Sequence, residues 1–397
     1  MKILIADKLS EQALAALKVA GLNADFRPDL SADELPAAIG GFNVLVVRST
    51  KVTSDTISAS DSLSLIVRAG AGVNTIDVAA ASAGGIYVTN CPGRNSDAVA
   101  ELAIGLLIAC DRRIADATAE LRSGHWNKKK YSGARGLKGR TLGILGMGMI
   151  GRAVARRAHG LEMNVIAWSR SLTSECADTL GVQFAESPLA VARACDAVTI
   201  HLATTAETRS LVDAEFLEAM SDGAIVVNTS RGELVETAAL KEAIRKKGLR
   251  VGLDVFEDEP GAGVAEFADT DLAGSVTCTP HIGASTQQAS EAIAAEVVVI
   301  INTFRETGRP PNVVNVCART SATHSLVIRH YNRVGVLAGV LDALREADIN
   351  VEEMDNAIFE GAGAACCTLQ LDEAPSSALV DNLSQLDHVL QVQLEPR

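Results

Sequence analysis

Residues Thr141 to Gly151 read TLGILGMGMIG, and this short stretch indicates how the chain around it folds. Its first five residues are mostly apolar and predict a buried strand. Gly146, Gly148 and Gly151 follow at Gly-x-Gly-x-x-Gly spacing, and a helical pattern continues over Arg152 to His159. Between a strand and a helix, such glycines let the backbone approach a pyrophosphate held at the helix N-terminus. The stretch therefore predicts a dinucleotide-binding βαβ unit.

Short apolar segments alternate with helical patterns on both sides of this loop. They predict strands over residues 2–6, 43–47, 63–67 and 86–89 before the loop, and over residues 164–168, 197–202, 224–228, 252–255 and 276–279 after it. Repeated strand–helix units imply an α/β fold with doubly wound parallel sheets. A helix over residues 98–109 would connect two such sheets, and one over residues 287–304 would return the chain to the first. We expect two Rossmann-like domains, a discontinuous substrate-binding domain of residues 1–97 with 285–318 and a dinucleotide-binding domain of residues 98–284.

The end of the chain predicts a separate domain over residues 325–397. GRPP at residues 308–311 ends the preceding helix and begins a linker. The patterns that follow have the order βαββαβ, which is a ferredoxin-like arrangement. The stretches HYNRVGVL at residues 330–337 and ADINV at residues 347–351 resemble the ACT domain, a small amino-acid-sensing module.

The composition argues against several classes of protein. A net charge of −13 disfavours nucleic acid and anionic membrane surfaces as partners. No apolar run reaches the length of a membrane span. Eight cysteines without framework spacing, and a start without a signal-peptide pattern, predict a reducing, cytoplasmic setting. Because only 2 Trp, 3 Tyr and 8 Phe are present, the cores must be mainly aliphatic.

Three polar residues lie in stretches that follow predicted strands. Arg231 lies in TSRGELV (residues 229–235), Glu259 in DVFEDEP (residues 254–260) and His281 in TPHIGAST (residues 279–286). Beside a dinucleotide site, a guanidinium can bind a substrate carboxylate and polarise a carbonyl, while an imidazole exchanges the hydroxyl proton. A carboxylate next to the imidazole favours its protonated form. The set predicts hydride transfer at a hydroxyl-bearing carbon.

Each of these residues has a plainer interpretation when it is taken alone. Arg231 is compatible with a surface arginine, and Glu259 lies in an acidic run that is typical of a solvated loop. His281 is compatible with a structural histidine or, together with Cys278, with half of a metal site. No second ligand pair stands at metal-ligand spacing, so we expect no metal. The three sequence contexts together favour the catalytic interpretation.

The three stretches and the glycine loop resemble the D-isomer-specific 2-hydroxyacid dehydrogenases, and the resemblance covers nearly the whole chain. It implies an NAD(P)-dependent dehydrogenase in which Arg231, Glu259 and His281 are catalytic. Ala203 stands where the family usually has proline, a change that should not abolish cofactor binding. The implied cofactor site consists of Gly146, Gly148, Met149, Ile150, Gly151, Ser169, Arg170, Ala203, Thr229, Ser230, Asp254, Gly283 and Ala284.

The choice between NAD and NADP depends on the adenine end of this site. The dinucleotide motif expects an acid about 20 residues past the glycines, where it accepts a hydrogen bond from the ribose 2′-hydroxyl. Ser169 takes that place and Arg170 follows it, which removes the repulsion of a 2′-phosphate. The family favours NAD. NAD is therefore expected, and NADP is compatible with the local residues.

A positively charged substrate site is predicted at the ends of two strands of the first domain. RSTK at residues 48–51 and RAGAG at residues 68–72 both follow predicted strands. Backbone N–H groups of the Gly-rich turn suit a carboxylate, and the basic side chains suit a phosphate. We expect a phosphorylated 2-hydroxy acid, bound by Arg48, Ser49, Lys51, Arg68, Ala69, Gly70, Ala71 and Asn95.

Two other functions are compatible with this fold. One is another reductase of the family, acting on glyoxylate or hydroxypyruvate, although the ACT-like domain argues against it. The other is a corepressor-like protein that senses the cofactor without catalysis. The peptide-binding surface and disordered tails expected of such a protein are not visible in the sequence.

The C-terminal domain predicts regulation or assembly. In family members that sense L-serine, the ligand binds between two ACT domains through a His and an Asn that both lie on the first loop, and through an Asn that opens the next turn. His330, Asn332 and Asn350 match those places. L-serine is the expected effector, and a domain that only assembles subunits is the alternative. The apolar connecting helix favours a homodimer or homotetramer.

Overall fold

The computed structural model describes residues 1–260, 264–317 and 320–397. The chain folds as two compact units, Met1–Asn315 and Val316–Arg397. The first unit contains two parallel sheets and the second an antiparallel one, which confirms the predicted fold class. The boundaries inside the first unit stay a prediction, and residue 318, where the discontinuous domain was expected to end, lies outside the described residues.

The first sheet consists of short, buried parallel strands. They are β1 (Lys2–Ile5), β2 (Asn23–Phe26), β3 (Val44–Val47), β4 (Leu65–Arg68) and β5 (Tyr87–Thr89), in the order β2-β1-β3-β4-β5. All four residues of β3 are buried, as expected for a strand covered by helices on both faces. The helices between the strands are α1 (Glu11–Val19), α2 (Leu35–Ala38), α3 (Ser54–Ser58) and α4 (Val78–Ala83).

The second sheet contains the glycine loop and follows three helices, α5 (Ser96–Arg112), α6 (Ile114–Arg122) and α7 (Lys128–Tyr131). Its strands are β6 (Thr141–Leu145), β7 (Asn164–Trp168), β8 (Gln183–Phe184), β9 (Ala197–Ile200), β10 (Ile225–Asn228), β11 (Arg250–Leu253) and β12 (Thr277–Cys278). The order β12-β11-β10-β9-β6-β7-β8 reverses between β6 and β9, so ligands are expected there, beyond the carboxyl ends of the strands. The intervening helices are α8 (Met149–Gly160), α9 (Ser174–Thr179), α10 (Pro188–Ala194), α11 (Ala214–Ala219), α12 (Thr237–Lys247) and α13 (Thr270–Ser275).

The chain crosses between the two sheets twice. The first crossing enters α5, and the second is α14 (Gln287–Thr307), whose apolar residues Ile293, Val297 and Ile300 pack into the core of the first sheet. The buried carboxylate of Glu296 accepts hydrogen bonds from Arg94 before α5 and from Asn312 after α14. One residue of α14 therefore joins both crossings.

The second unit has the predicted order of strands and helices. It consists of β13 (His324–Tyr331), α15 (Val336–Glu346), β14 (Val351–Ile358), β15 (Ala364–Leu371), α16 (Ser377–Ser384) and β16 (Val389–Pro396). The sheet order β14-β15-β13-β16, with antiparallel neighbours throughout, is ferredoxin-like. Its core is aliphatic, with Leu326, Ile328, Val340 and Leu369 among the buried residues.

Among the described residues, no helix combines the length and the apolar character that crossing a bilayer requires.

Candidate active site

The glycine loop leaves space at the start of α8. A Cβ on Gly146, whose φ is 102°, would lie 2.3 Å from the carbonyl oxygen of His201, and one on Gly151 would lie 2.0 Å from that of Gly146. Side chains are therefore excluded at both positions. A Cβ on Gly148 would meet no described atom within 4 Å, and this N-cap residue provides no capping side chain. The first N–H groups of α8 thus remain available to an anion such as a pyrophosphate.

Buried polar atoms lie close to this loop at the ends of neighbouring strands. Oγ1 of Thr229, Oγ1 of Thr204 and Nδ1 of His201 have no hydrogen-bond partner within the described residues. Nε2 of His201 lies 2.9 Å from the Thr199 hydroxyl, and burial lowers the pKa of His201 to about 3. Because buried polar atoms are usually paired, these three fit a site that a polar cofactor completes. Sequence analysis missed His201 and Thr204, although both follow β9 closely.

An acidic residue that sequence analysis did not identify, Glu207 in the loop after β9, acts on the segment expected at the adenine end. Ser169 is half-buried after β7, whereas Arg170 and Ala203 are exposed. The Thr205 hydroxyl donates to the Glu207 carboxylate over 2.6 Å. This hydrogen bond and, more weakly, the charge of Arg170 lower the pKa of Glu207. Arg170 therefore has an anionic neighbour, which reduces its attraction for a 2′-phosphate.

His281 and Glu259 are in direct contact. Nδ1 of His281 lies 2.6 Å from one oxygen of Glu259, whose other oxygen accepts from the N–H of Phe256 over 2.9 Å. Burial alone would raise the pKa of Glu259, but these hydrogen bonds and the charges of His281 and Arg231 lower it overall. Glu259 is therefore ionised at neutral pH, and Nε2 of His281 is left for a substrate.

The turn that carries His281 is held by the buried carboxylate of Asp254. One oxygen of Asp254 accepts from the Thr279 hydroxyl and the N–H of Ile282, and the other accepts from the N–H of Gly283, over 2.6 to 2.8 Å. The N–H of His281 donates to the backbone carbonyl of Asp254 over 2.8 Å. A Cβ on Gly283 would lie 2.9 Å from the same carboxylate. Asp254 thus positions the turn, and the half-buried Ala284 follows it.

Arg231 reaches from the second sheet to the first. The amide of Asn228 bonds the N–H of Ser230 and the carbonyl of Arg231, which fixes the backbone after β10. The Ser230 hydroxyl donates to the Ile200 carbonyl, and Nη1 of Arg231 donates to the Ser230 carbonyl. A Cβ on Gly72 would lie 2.5 Å from Nη2 of Arg231. The guanidinium therefore lies against the Gly-rich turn that follows β4.

Three arginines form a cluster at this turn. Nη1 of Arg68 lies 1.6 Å from the position that a Cβ on Gly70 would take. Nε of Arg68 has no hydrogen-bond partner within the described residues. Burial, and next the positive charges of Arg231 and Arg48, lower the pKa of Arg68 to about 10. Because neighbouring positive charges destabilise each other, the cluster of three guanidinium groups favours a bound anion.

The other predicted site residues differ in their exposure and in their hydrogen bonds. Lys51 and Ser49 are exposed, Ala69 is buried, and the carbonyl of Ala71 accepts from the Asn90 amide. Oδ1 of Asn95, at the start of α5, has no partner within the described residues. Met149 and Ile150 begin α8. No group of metal ligands is found in the part of the chain that the structure describes.

Comparison with known proteins identifies the family of this site. Residues 104–283 match the family "D-isomer specific 2-hydroxyacid dehydrogenase, NAD binding domain". The hydroxypyruvate reductase of Thermotoga maritima is 42% identical over 286 residues, which cover 70% of this chain and 89% of that protein. This chain belongs to the D-isomer specific 2-hydroxyacid dehydrogenase family. It therefore contains the NAD-binding domain of these dehydrogenases.

Other members of the 2-hydroxyacid dehydrogenase family match more of the chain. The D-3-phosphoglycerate dehydrogenase of Methanocaldococcus jannaschii is 38% identical over 318 residues, which are 80% of this chain. This chain spans only 60% of that relative's length. The NAD⁺-bound 3-phosphoglycerate dehydrogenase of Entamoeba histolytica has 27% identity and a TM-score of 0.66, covering 80% of this chain and 99% of that one.

The residues expected to bind an effector lie in the second unit of this chain. His330 lies within β13, not in the loop after it, and is only 2% exposed, with Nδ1 2.8 Å from the Tyr331 carbonyl. The Asn332 amide donates to the carbonyl of Ala362 over 3.1 Å, and that of Asn350 to Glu352 over 2.8 Å. Along β15, His330 pairs with Ala365, whereas Val351, next to Asn350, pairs with Leu371. His330 and Asn350 are therefore about 20 Å apart within one chain.

Proposed function

We propose that the protein is a D-3-phosphoglycerate dehydrogenase, which oxidises D-3-phosphoglycerate to 3-phosphohydroxypyruvate with NAD and supplies L-serine synthesis. The observation that carries this proposal is the cluster of Arg48, Arg68 and Arg231 in a chain whose net charge is −13. A substrate with a carboxylate and a phosphate neutralises three guanidinium groups better than one with a carboxylate alone. The relatives that are named for this activity support it.

Each step of the oxidation has a residue suited to it. Arg231 binds the substrate carboxylate and the oxygen on C2, which becomes the carbonyl oxygen. Nε2 of His281 takes the hydroxyl proton as the C2–H bond breaks, and the C=O bond forms from the O–H electrons. Glu259 stabilises the resulting imidazolium through its contact with Nδ1. NAD, when bound, supplies the acceptor for the hydride that leaves C2.

The cofactor in this proposal is NAD, bound by Gly146, Gly148 and the first turn of α8. The nicotinamide end would be lined by Thr229, Ser230, Asp254, Gly283 and Ala284. NADP is the alternative cofactor, because Ser169 provides no acid for a ribose hydroxyl. The nearby Glu207 disfavours a 2′-phosphate.

Arg48→Ala is expected to lower kcat/KM for D-3-phosphoglycerate about tenfold to a hundredfold, because one charge-assisted contact to the phosphate is lost. The value for D-glycerate should change little. Initial rates of both acids, followed by NADH absorbance, measure the difference. Arg27→Ala is the matched control, since Arg27 pairs with Asp25 on the exposed edge of the same sheet. A wild-type protein without preference for the phosphorylated acid would refute the proposed substrate.

A second candidate function is hydroxypyruvate reduction. Its support is the Thermotoga hydroxypyruvate reductase, whose identity of 42% is higher than that of the Methanocaldococcus D-3-phosphoglycerate dehydrogenase. The match to the Thermotoga protein covers only 70% of this chain. In that case hydroxypyruvate should be the preferred substrate over 3-phosphohydroxypyruvate, and Arg48→Ala should have little effect on it. The same rate assay, run in the reductive direction, separates the two functions.

For the second unit we propose an ACT domain that senses L-serine. Because His330 and Asn350 are about 20 Å apart in one chain, a ligand that contacts both needs two copies of the unit in opposite orientation. The proposal therefore includes a homodimer or homotetramer. We also assign the protein to a reducing, cytoplasmic setting, which suits its eight cysteines, all described and all free.

L-serine is expected to bind with measurable heat and to lower the activity, and Asn350→Ala is expected to abolish both effects. The amide of Asn350 can accept from the serine ammonium, whereas its loss leaves that group unpaired. Isothermal calorimetry up to millimolar serine measures the binding. Asn382→Ala, on the exposed side of α16, is the control. Absence of heat with the wild-type protein would reduce this unit to a role in assembly.

A further inference from the structure

Asp7 makes an unusual set of contacts at the edge of the substrate site. One oxygen of its carboxylate, Oδ2, accepts three consecutive backbone N–H groups: that of Arg48 over 2.7 Å, that of Ser49 over 2.9 Å and that of Thr50 over 2.9 Å. Asp7 follows β1 and Arg48 follows β3, and these two strands are parallel neighbours. Topology therefore brings a residue from the start of the chain to the turn at residues 48–50.

Three convergent N–H groups form an anion-binding nest. In this chain the nest is filled by a carboxylate of the protein itself, so these N–H groups cannot bind a substrate anion. The Thr50 hydroxyl adds a hydrogen bond to the Ala6 carbonyl over 3.3 Å, which ties the same turn to β1 a second time. Binding of the substrate at this turn is consequently left to side chains, above all to that of Arg48.

Asp7 also contributes charge to the arginine cluster. Burial, Arg231 and Arg48 lower the pKa of Arg68, whereas the negative charge of Asp7 acts in the opposite direction. Asp7 thus offsets part of the repulsion among the three guanidinium groups before a substrate is bound. Its single charge cannot neutralise all three, so the cluster still attracts an anion.

We propose that Asp7 is a positioning residue, whose carboxylate fixes the turn at residues 48–50 and thereby holds Arg48 beside Arg68 and Arg231 in the geometry that binds the substrate anion. This inference rests on the proposed function, because a phosphorylated acid is the ligand that needs Arg48. Asp7 acts through the turn and does not itself contact the substrate.

Asp7→Ala is expected to raise KM for D-3-phosphoglycerate about tenfold, with kcat within about threefold of the wild type and NAD affinity unchanged. Asp7→Asn keeps the shape and offers a neutral acceptor, so a rise of about threefold is expected. Sodium formate should partly restore KM in Asp7→Ala, because formate refills the nest, but not in Asp7→Asn, where the amide occupies it. Asp25→Ala, which removes a carboxylate paired with the exposed Arg27, is the control.

The proposal is overturned if KM is unchanged in both Asp7 variants, or if kcat and NAD affinity fall together with the rise in KM and formate restores none of them. If Asp7→Ala does not fold, as judged by thermal melting, the KM of Asp7→Asn decides the question. D-glycerate is assayed in parallel. A wild-type preference for glycerate would defeat the phosphoglycerate proposal, whereas the effect of Asp7 on KM for the preferred acid would still test the positioning role.

Discussion

His281→Ala is expected to oxidise D-3-phosphoglycerate about 10²-fold or more slowly than the wild-type protein, with little change in NAD affinity. Nδ1 of the imidazole is fixed by Glu259 at 2.6 Å, so in the proposed mechanism Nε2 is the nitrogen that takes the hydroxyl proton. Without the imidazole, water must accept that proton. Steady-state kcat, together with calorimetric titration of NAD, measures both parts of the expectation.

A second variant separates chemistry from folding. His281 has a positive φ of 53°, a conformation that asparagine tolerates better than alanine. His281→Asn should therefore fold at least as well and lose turnover to a similar degree. His159→Ala, at the exposed end of α8, should retain wild-type kcat. Near-normal kcat in both His281 variants would remove His281 from the mechanism.

Arg231→Lys is expected to lower kcat/KM for D-3-phosphoglycerate by about 10²- to 10³-fold. Lysine keeps the charge but lacks the planar fork that binds a carboxylate and a developing carbonyl oxygen together. The expected loss is larger than for Arg48→Ala because the proposed mechanism gives Arg231 contacts with the reacting oxygen as well as with the carboxylate of the bound acid. Both kcat and KM should be affected, which rate measurements over a range of substrate concentrations resolve.

Arg245→Lys provides the matched control for Arg231. Arg245 lies on α12, exposed and paired with Glu242, so its replacement should leave kcat and KM unchanged. A rise in KM alone in Arg231→Lys would mean that the guanidinium holds the substrate without assisting the reaction. A loss of less than tenfold in kcat/KM would contradict the assigned role altogether.

The parts of the fold that the sequence predicted are those determined by local patterns. The glycine loop with β6 and α8 is one example, since three glycines and an apolar strand lie within eleven residues. Strand β2 was not predicted, because Asn23–Phe26 reads NADF, which has no apolar run and alternates polar and apolar residues over only four positions. It forms at the sheet edge by pairing with β1 residue for residue. Such a strand depends on its neighbour and not on its own residues.

In the site, too, residues within local sequence patterns were predicted and residues that depend on distant partners were not. Arg231 and His281 were identified because each follows a strand in a recognisable stretch. Asp7 was missed, since its partners lie 41 to 43 residues further along the chain and no local pattern links them. The position of His330 inside β13 was also missed, because the end of a strand is hard to locate from sequence alone.

Glu296 has a consequence for how the two sheets of the first unit can move. The chain passes between them next to Arg94, just before α5, and through α14, which carries this buried carboxylate. The carboxylate bonds to Arg94 and also to Asn312, which follows α14. Separating a buried carboxylate from its guanidinium is costly, so a motion that keeps these bonds is favoured. We therefore expect the substrate cleft to open by rotation about an axis near Glu296, with both crossings bending together as a single hinge.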